Sequence, residues 1–258
     1  MPRHPSAGLM RSFIVQIGEI ALLAAETFRN LFRKPWEGRI FLQQLDEIGT
    51  RTLPVVALTA AFGGLVFGLQ TYAGFHRYIG QGSEPYGGPI ISLGLSKELI
   101  PILVGLMVAG RVGSSMAAEI GTMRITEQVD ALFSLGADPN RYLVVPRTAA
   151  AFLMLPCLTL FGDLIGIVCG MIYNVTIMGV NGTVYLRNTL LYLQFWDVGS
   201  GLVKAAVFGV IIAIIGCWQG LKTEGGAEGV GRATTRTVVI ASISILIVNF
   251  FLSKFLPG

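Results

Sequence analysis

The sequence predicts an all-α integral membrane protein, and three observations carry that prediction. Apolar residues make up 53% of the 258 positions and charged residues only 13%, whereas a soluble domain carries about 25% charged residues. Mean hydropathy is +0.67. The apolar residues gather into runs near 20 residues long, enough for a helix to cross about 30 Å of hydrocarbon. Glycine is abundant, at 33 residues, as expected where membrane helices pack backbone to backbone.

Residues 1–51 read as an N-terminal cytoplasmic and interfacial segment, and 52–258 as a five-span domain. Over residues 9–33, Phe13, Ile17, Ile20, Ala24, Phe28 and Leu31 recur at helical spacing. Ser12, Gln16, Glu19, Glu26 and Asn30 form an adjacent polar stripe, and Arg11, Arg29, Arg33 and Lys34 flank it. This pattern predicts an amphipathic helix lying in the headgroup plane. The interrupting glutamates and the lack of a small-residue cleavage site argue against a cleaved signal peptide.

Hydropathy places spans at about 52–75, 90–110, 143–173, 198–220 and 237–256. Of the 19 Lys and Arg residues, fourteen lie in the N-terminal segment, in 111–147 and in 219–236, against five on the other side. The positive-inside rule then makes the N-terminus cytoplasmic and the C-terminus external. The connector 76–89 is rich in Gly and Pro, and 174–197 carries Tyr185, Tyr192, Phe195 and Trp196, apt for an aromatic belt. Gly162, Gly166 and Gly170, with Gly64/Gly68 and Gly216/Gly220, repeat every four residues and predict close helix packing. Cys157, Cys169 and Cys217 all fall in apolar runs and read as small buried apolar residues.

Between the second and third spans, Ile125–Gly136 reads as a short capped helix too short to span. Thr126 is suited to the N-cap, Glu127 and Asp130 to the positive end of the helix dipole, and Gly136 to the left-handed stop. Ile125, Val129, Leu132 and Phe133 share one face. Four ionisable groups lie in or near apolar runs: Lys97, Glu98, Asp163 and Lys204. At the bilayer centre a charge costs roughly 2.5–3.5 kcal/mol, so each needs a partner, water or a shallow depth. Pro101, four residues after Lys97, loosens the helix and frees a carbonyl. Lys204 is expected to snorkel outward or to meet a lipid phosphate or Glu98, and Asp163 to make a helix–helix hydrogen bond.

The stretch AGRVGSSMAAEIGTMRITEQVDAL (109–132), followed by LGADPNRYLVVPR, resembles the signature of the MlaE-type permeases. These are the membrane subunits of lipid-transporting ABC systems that work with MCE-domain proteins. GVGRATTRTVV (229–239), KELIP (97–101) and, more loosely, GLQ (68–70) resemble the same family. The resemblance implies an interfacial helix, five spans and a cytoplasmic coupling helix between the second and third. On this sequence the ATPase-coupling residues would be Glu119, Arg124, Thr126, Glu127, Gln128, Asp130 and Phe133. Gln70, Lys97, Glu98 and Lys204 would shape a substrate cavity. Lys97 stands where arginine is common in the family, and Asn249 where some relatives carry aspartate.

The implied partners are an ABC ATPase subunit, an MCE-domain periplasmic protein, a STAS-domain protein in some systems, a second permease copy and phospholipid, with no nucleic acid. The implied location is the bacterial inner membrane. GLKTEGG (220–226) lacks the glycine that a P-loop needs before its lysine, so no cofactor is expected in this chain and ATP would be bound by the partner. The alternatives are a membrane-embedded lipid-modifying enzyme and a secondary transporter. No cluster of His, Cys or Asp has metal spacing and no Ser–His pair is evident; no inverted repeat is clear.

Overall fold

The computed structural model describes residues 5–31, 38–78 and 87–256. Arg3, His4, Arg33, Lys34 and the centre of the 76–89 connector lie outside them. Among the described residues the secondary structure is helical. Helix α1 (Pro5–Leu31) and α2 (Gly38–Ile48) precede α3 (Leu53–Tyr78). A continuous rod follows: α4 (Gly87–Gly94), a π-helical turn at Leu95–Leu99, α5 (Ile100–Val108), a second π turn at Ala109–Gly113, and α6 (Ser114–Ile125). Then come α7 (Gln128–Ser134), a third π turn at Asn140–Val144, α8 (Val145–Thr176), α9 (Gly182–Tyr192), α10 (Phe195–Leu221) and α11 (Gly226–Phe255).

Among the described residues, five helical stretches are long and apolar enough to cross a membrane: Gly38–Phe75, Gly87–Ile125, Asn140–Thr176, Phe195–Leu221 and Gly226–Phe255. Each covers one expected span, and three reach well beyond it: the first starts at Gly38 rather than 52, the second runs on through the polar segment 111–125, and the last starts at Gly226 rather than 237. In the last two, the added turns are polar, and nothing in them breaks a helix. Helix α9, in the loop with the aromatic residues, was not expected; Asn181 caps it by accepting hydrogen bonds from the backbone N–H groups of Thr183 and Val184.

The bundle is centred on α8, which packs along α3 on one side and α10 on the other. The glycine spacing explains the first contact. A Cβ on Gly64 would run into the backbone of Gly166, so the α3 and α8 main chains touch there. The core between the helices is formed by Val56, Ala60, Leu95, Ile100, Val104, Leu155, Leu158, Phe208 and Ile212, all buried. Outward-facing Leu58, Phe62, Val66, Leu164, Val168, Ile243 and Phe250 are exposed, as lipid-facing side chains should be. Of the cysteines, Cys217 is buried as expected and Cys169 partly so, whereas Cys157 departs from expectation and is exposed on α8.

Helix α1 meets the bundle with its polar side. Its polar positions touch the bundle: Thr27 hydrogen-bonds Asn140 at 3.1 Å, and Asn30 donates to Asp138 at 3.5 Å. Glu19 pairs with Lys222 and accepts from Trp218 Nε1 at 3.3 Å. Ile14, Ile17, Leu22 and Phe28 are turned outward. The reason is the surface it meets. This end of the bundle presents Asn140, Asp138 and Lys222, so polar pairing decides which face docks.

Candidate functional site

Two polar assemblies lie along the rod that runs from Gly87 to Ile125, one around its first π turn and one at its Ile125 end. From Glu98 to Ile125, at 1.5 Å per residue, they are separated by about 40 Å, more than the hydrocarbon thickness.

The first assembly surrounds the π turn Leu95–Leu99. An α-helical carbonyl at position 97 would accept the N–H of residue 101, but residue 101 is proline and has none. The Lys97 carbonyl instead accepts from Lys204 Nζ at 2.9 Å. The same ammonium donates to Glu98 Oε1 at 2.6 Å and to Ser253 Oγ at 2.8 Å. Its three N–H bonds are therefore all engaged. Glu98 also accepts from Asn249 Nδ2 at 3.1 Å and from Ser253 Oγ at 2.8 Å. Lys97 pairs not with its neighbour Glu98 but with Asp197 at 2.7 Å. Asp197 in turn closes the capping box of α10 with Gln194.

Lys204 is only 2% exposed, so it does not snorkel to the surface; of the expected partners it meets Glu98. The side chains of Lys97 and Glu98 remain 28% and 44% exposed. α10 comes this close because residue 201 is glycine: a Cβ there would strike the Ser96 carbonyl. A π turn adds one residue to the helix and re-aims the side chains around it, which is why such turns recur at functional sites. Gln70 is exposed on α3 and makes no hydrogen bond to this group. Asp163, expected to bond a neighbouring helix, has neither carboxylate oxygen hydrogen-bonded.

The second assembly is built on α6 and α7. Thr126 is not the N-cap of α7: its hydroxyl bonds back to the Thr122 carbonyl at 2.9 Å and prolongs α6. Glu127 takes the N-cap position in a left-handed conformation, φ 59°, without a side-chain cap. The expected stop does form. Gly136 has φ 75°, its N–H reaches Phe133 O and that of Ala137 reaches Leu132 O, both at 3.0 Å, a Schellman closure. Arg124 pairs with Asp130 across the α6–α7 turn.

Val129 is buried in a small apolar cluster with Ile120, Leu143, Val144 and Cys217. That cluster joins α7 to α6, to the start of the third span and to the end of α10. Phe133 and Leu135, by contrast, are 64% and 82% exposed. Gln128 is exposed as well. Glu119 pairs with Arg147 at 2.8 Å, and Arg147, otherwise buried, also donates to the Leu143 carbonyl at 2.9 Å.

Arg147 and Asp197 complete the two assemblies and were not singled out in the sequence. Their signal was present: each is an ionisable residue at the edge of an apolar run, and each needs a partner of opposite sign.

Comparison with known proteins settles the family. The Permease MlaE family profile matches residues 41–255. The chain belongs to the MlaE permease family. It is 48% identical over 242 residues to a probable ABC transporter permease protein of Rickettsia felis, covering 94% of this chain and 92% of that one. A probable ABC transporter permease protein of Synechocystis is 44% identical over 231 residues, 90% of this chain and 87% of its own. The chloroplastic Arabidopsis thaliana protein trigalactosyldiacylglycerol 1 is 37% identical over 236 residues, 92% of this chain and 67% of its own. This MlaE-family chain is thus a multi-pass membrane permease of ABC type.

Proposed function

We propose that this chain is the non-catalytic membrane subunit of an ATP-driven lipid transporter, and that it moves phospholipid between the bacterial inner membrane and an MCE-protein conduit leading toward the outer membrane. The observation that carries the reading is α7: a short, stopped helix anchored through Val129 while Phe133 and Leu135 point away from the bundle. Exposed apolar side chains on a stiff element beside charged neighbours suit a groove on a partner protein. That partner is an ABC ATPase, which binds the ATP. Lipid as cargo is supported by the family and by the glycerolipid in the name of the chloroplast relative.

The mechanism follows from the rod. Nucleotide-driven closure of the ATPase displaces α7. The Ile120–Val129–Cys217 cluster passes this to α6 and α10, and the continuous helix carries it to the π turn at Lys97 and Glu98. There, α10 and the second span are held by Lys204, and a shift between them changes the exposure of Lys97 and Glu98. These two are the groups left to meet a lipid headgroup, with Lys204 positioning them and Gln70 on the neighbouring span. The Lys and Arg residues around α7 (Arg124, Arg141, Lys222, Arg232 and Arg236) support a cytoplasmic α7 end, with the N-terminus cytoplasmic and the C-terminus periplasmic. A permease homodimer, an MCE-domain protein on the outer side and a STAS-domain protein beside the ATPase complete the assembly.

The test is co-purification with the ATPase and lipid transfer in proteoliposomes. Phe133→Asp and Gly136→Pro should insert normally yet lose ATPase capture and ATP-dependent transfer. Unimpaired capture and transfer in both variants would reject the reading.

A further inference from the structure

We propose that Asp163 holds a proton inside the bundle, as a neutral carboxylic acid that forms, with the Thr159 hydroxyl, a buried site for a proton and an ordered water. Asp163 is 3% exposed, and both its oxygens lack a hydrogen-bond partner. Thr159, one turn earlier on the same face of α8, is fully buried with its hydroxyl oxygen unpartnered. Ser96, buried on the π turn, is in the same condition. Gly162 and Gly166 of α8 lie against Ile100 and Leu95, which bracket that turn. Two of these unpartnered buried groups, the Asp163 carboxyl and the Thr159 hydroxyl, stand one turn apart on α8, where it packs against the second span. A water needs between two and four polar partners at such a site, and this pair supplies two.

The charge inventory decides the protonation state. An isolated carboxylate in hydrocarbon is untenable unless a cation pairs with it or a proton neutralises it. The cations nearest this level are already engaged, Lys97 with Asp197 and Lys204 with Glu98. At the far end of α8, Arg147 pairs with Glu119. Helix α4, α5 and the Leu53–Phe75 part of α3, all packed near this stretch, carry no charged residue; Arg187 on α9 is exposed. The proton is what remains. A neutral acid also lets α8 shift against the second span without carrying a charge through the hydrocarbon.

Infrared spectroscopy of the full chain, labelled with ¹³C-carboxyl aspartate in phosphatidylethanolamine–phosphatidylglycerol vesicles, tests this. The label separates aspartate from glutamate. Of the other aspartates, Asp197 is ion-paired, and Asp46, Asp130 and Asp138 are partly or fully exposed. The expected result is a label-shifted carbonyl stretch of a protonated acid at neutral pH, shifted again in D₂O and lost in Asp163→Asn. A spectrum with aspartate signal only in the ionised region at neutral pH overturns the proposal, as does a protonated band that survives Asp163→Asn. Should that variant fail to insert, the spectrum of the unaltered chain decides alone.

Discussion

The ammonium of Lys204 donates a hydrogen bond to the main-chain carbonyl of Lys97 across 2.9 Å, filling the acceptor that Pro101 leaves without its helical donor. One residue thus satisfies a backbone defect in the second span, a carboxylate next to it and a hydroxyl on the last span. Three helices meet at a single nitrogen, which makes Lys204 the junction of the assembly at the π turn.

Removing that nitrogen strands its partners. Lys204→Met keeps the length and volume but leaves Glu98 and the Lys97 carbonyl without their donor. The expected loss is about 1–3 kcal/mol, the cost of leaving polar acceptors without their donor, held down because Glu98 is 44% exposed and water screens the stranded carboxylate. Glu98→Gln, which can still accept from Lys204 but leaves that buried ammonium without a counter-charge, should cost at least as much, about 1.5–3 kcal/mol. Thermal unfolding in detergent checks the order. Pro101→Ala offers a direct control: it restores the N–H that competes for the Lys97 carbonyl, and so should weaken the Lys204 contact while improving the local helix.

At the other end, Arg147 is the buried partner and Glu119 the half-exposed one. Glu119→Ala should therefore destabilise by about 1.5–3 kcal/mol, because it leaves a guanidinium short of its charged acceptor. Adding Arg147→Met to that variant should recover part of the loss. A double-mutant cycle on unfolding midpoints measures the coupling; additive losses would show that the pair carries no mutual energy.

How much of this was legible in the sequence depends on what each signal reports. Hydropathy reports apolar length, so it found five spans but cut three of them short where the helix turns polar: at 52 instead of Gly38, at 110 instead of Ile125, and at 237 instead of Gly226. Local chemistry worked where a rule is strict. Gly136 was read as the left-handed stop, and Pro101 as freeing a carbonyl. Neither rule names a distant recipient, so Lys204 had several expected partners and Asp197 had none. The π turn at Leu95–Leu99 was invisible, because one inserted residue leaves no compositional trace. The N-cap at Thr126 failed for a physical reason: its hydroxyl has a nearer acceptor, the Thr122 carbonyl one turn back, and the chain turns one residue later at Glu127.

The glycine contacts give a prediction with an internal control. Gly64→Val places side-chain atoms against the Gly166 main chain, which cannot move aside, and should cost about 1–3 kcal/mol as an overpacking defect or prevent α3 from seating on α8. Gly74, on the same helix, has open space where a Cβ would stand. Gly74→Ala should be neutral or slightly stabilising through helix propensity. Comparing the two unfolding midpoints separates packing from propensity; equal losses would refute the α3–α8 contact.

The tie between α1 and the bundle should depend on pH. The Glu19 carboxyl is held below its ordinary value of 4.5, chiefly by its hydrogen bond to Lys222, with a smaller contribution from Trp218. A carboxyl whose folded value is depressed favours the folded state above its unfolded value, and that support disappears as the pH falls through the depressed one. The contact should therefore be intact at neutral pH and be lost only below about 4.5. Lys222 also lies 5.0 Å from the centre of the Trp218 ring, so the loss should register as a change in Trp218 fluorescence during acid titration. Glu19→Gln removes the titrating group and should flatten that acid transition, while Trp218→Phe removes the signal. A transition that persists unchanged in Glu19→Gln would assign the acid response to another carboxyl.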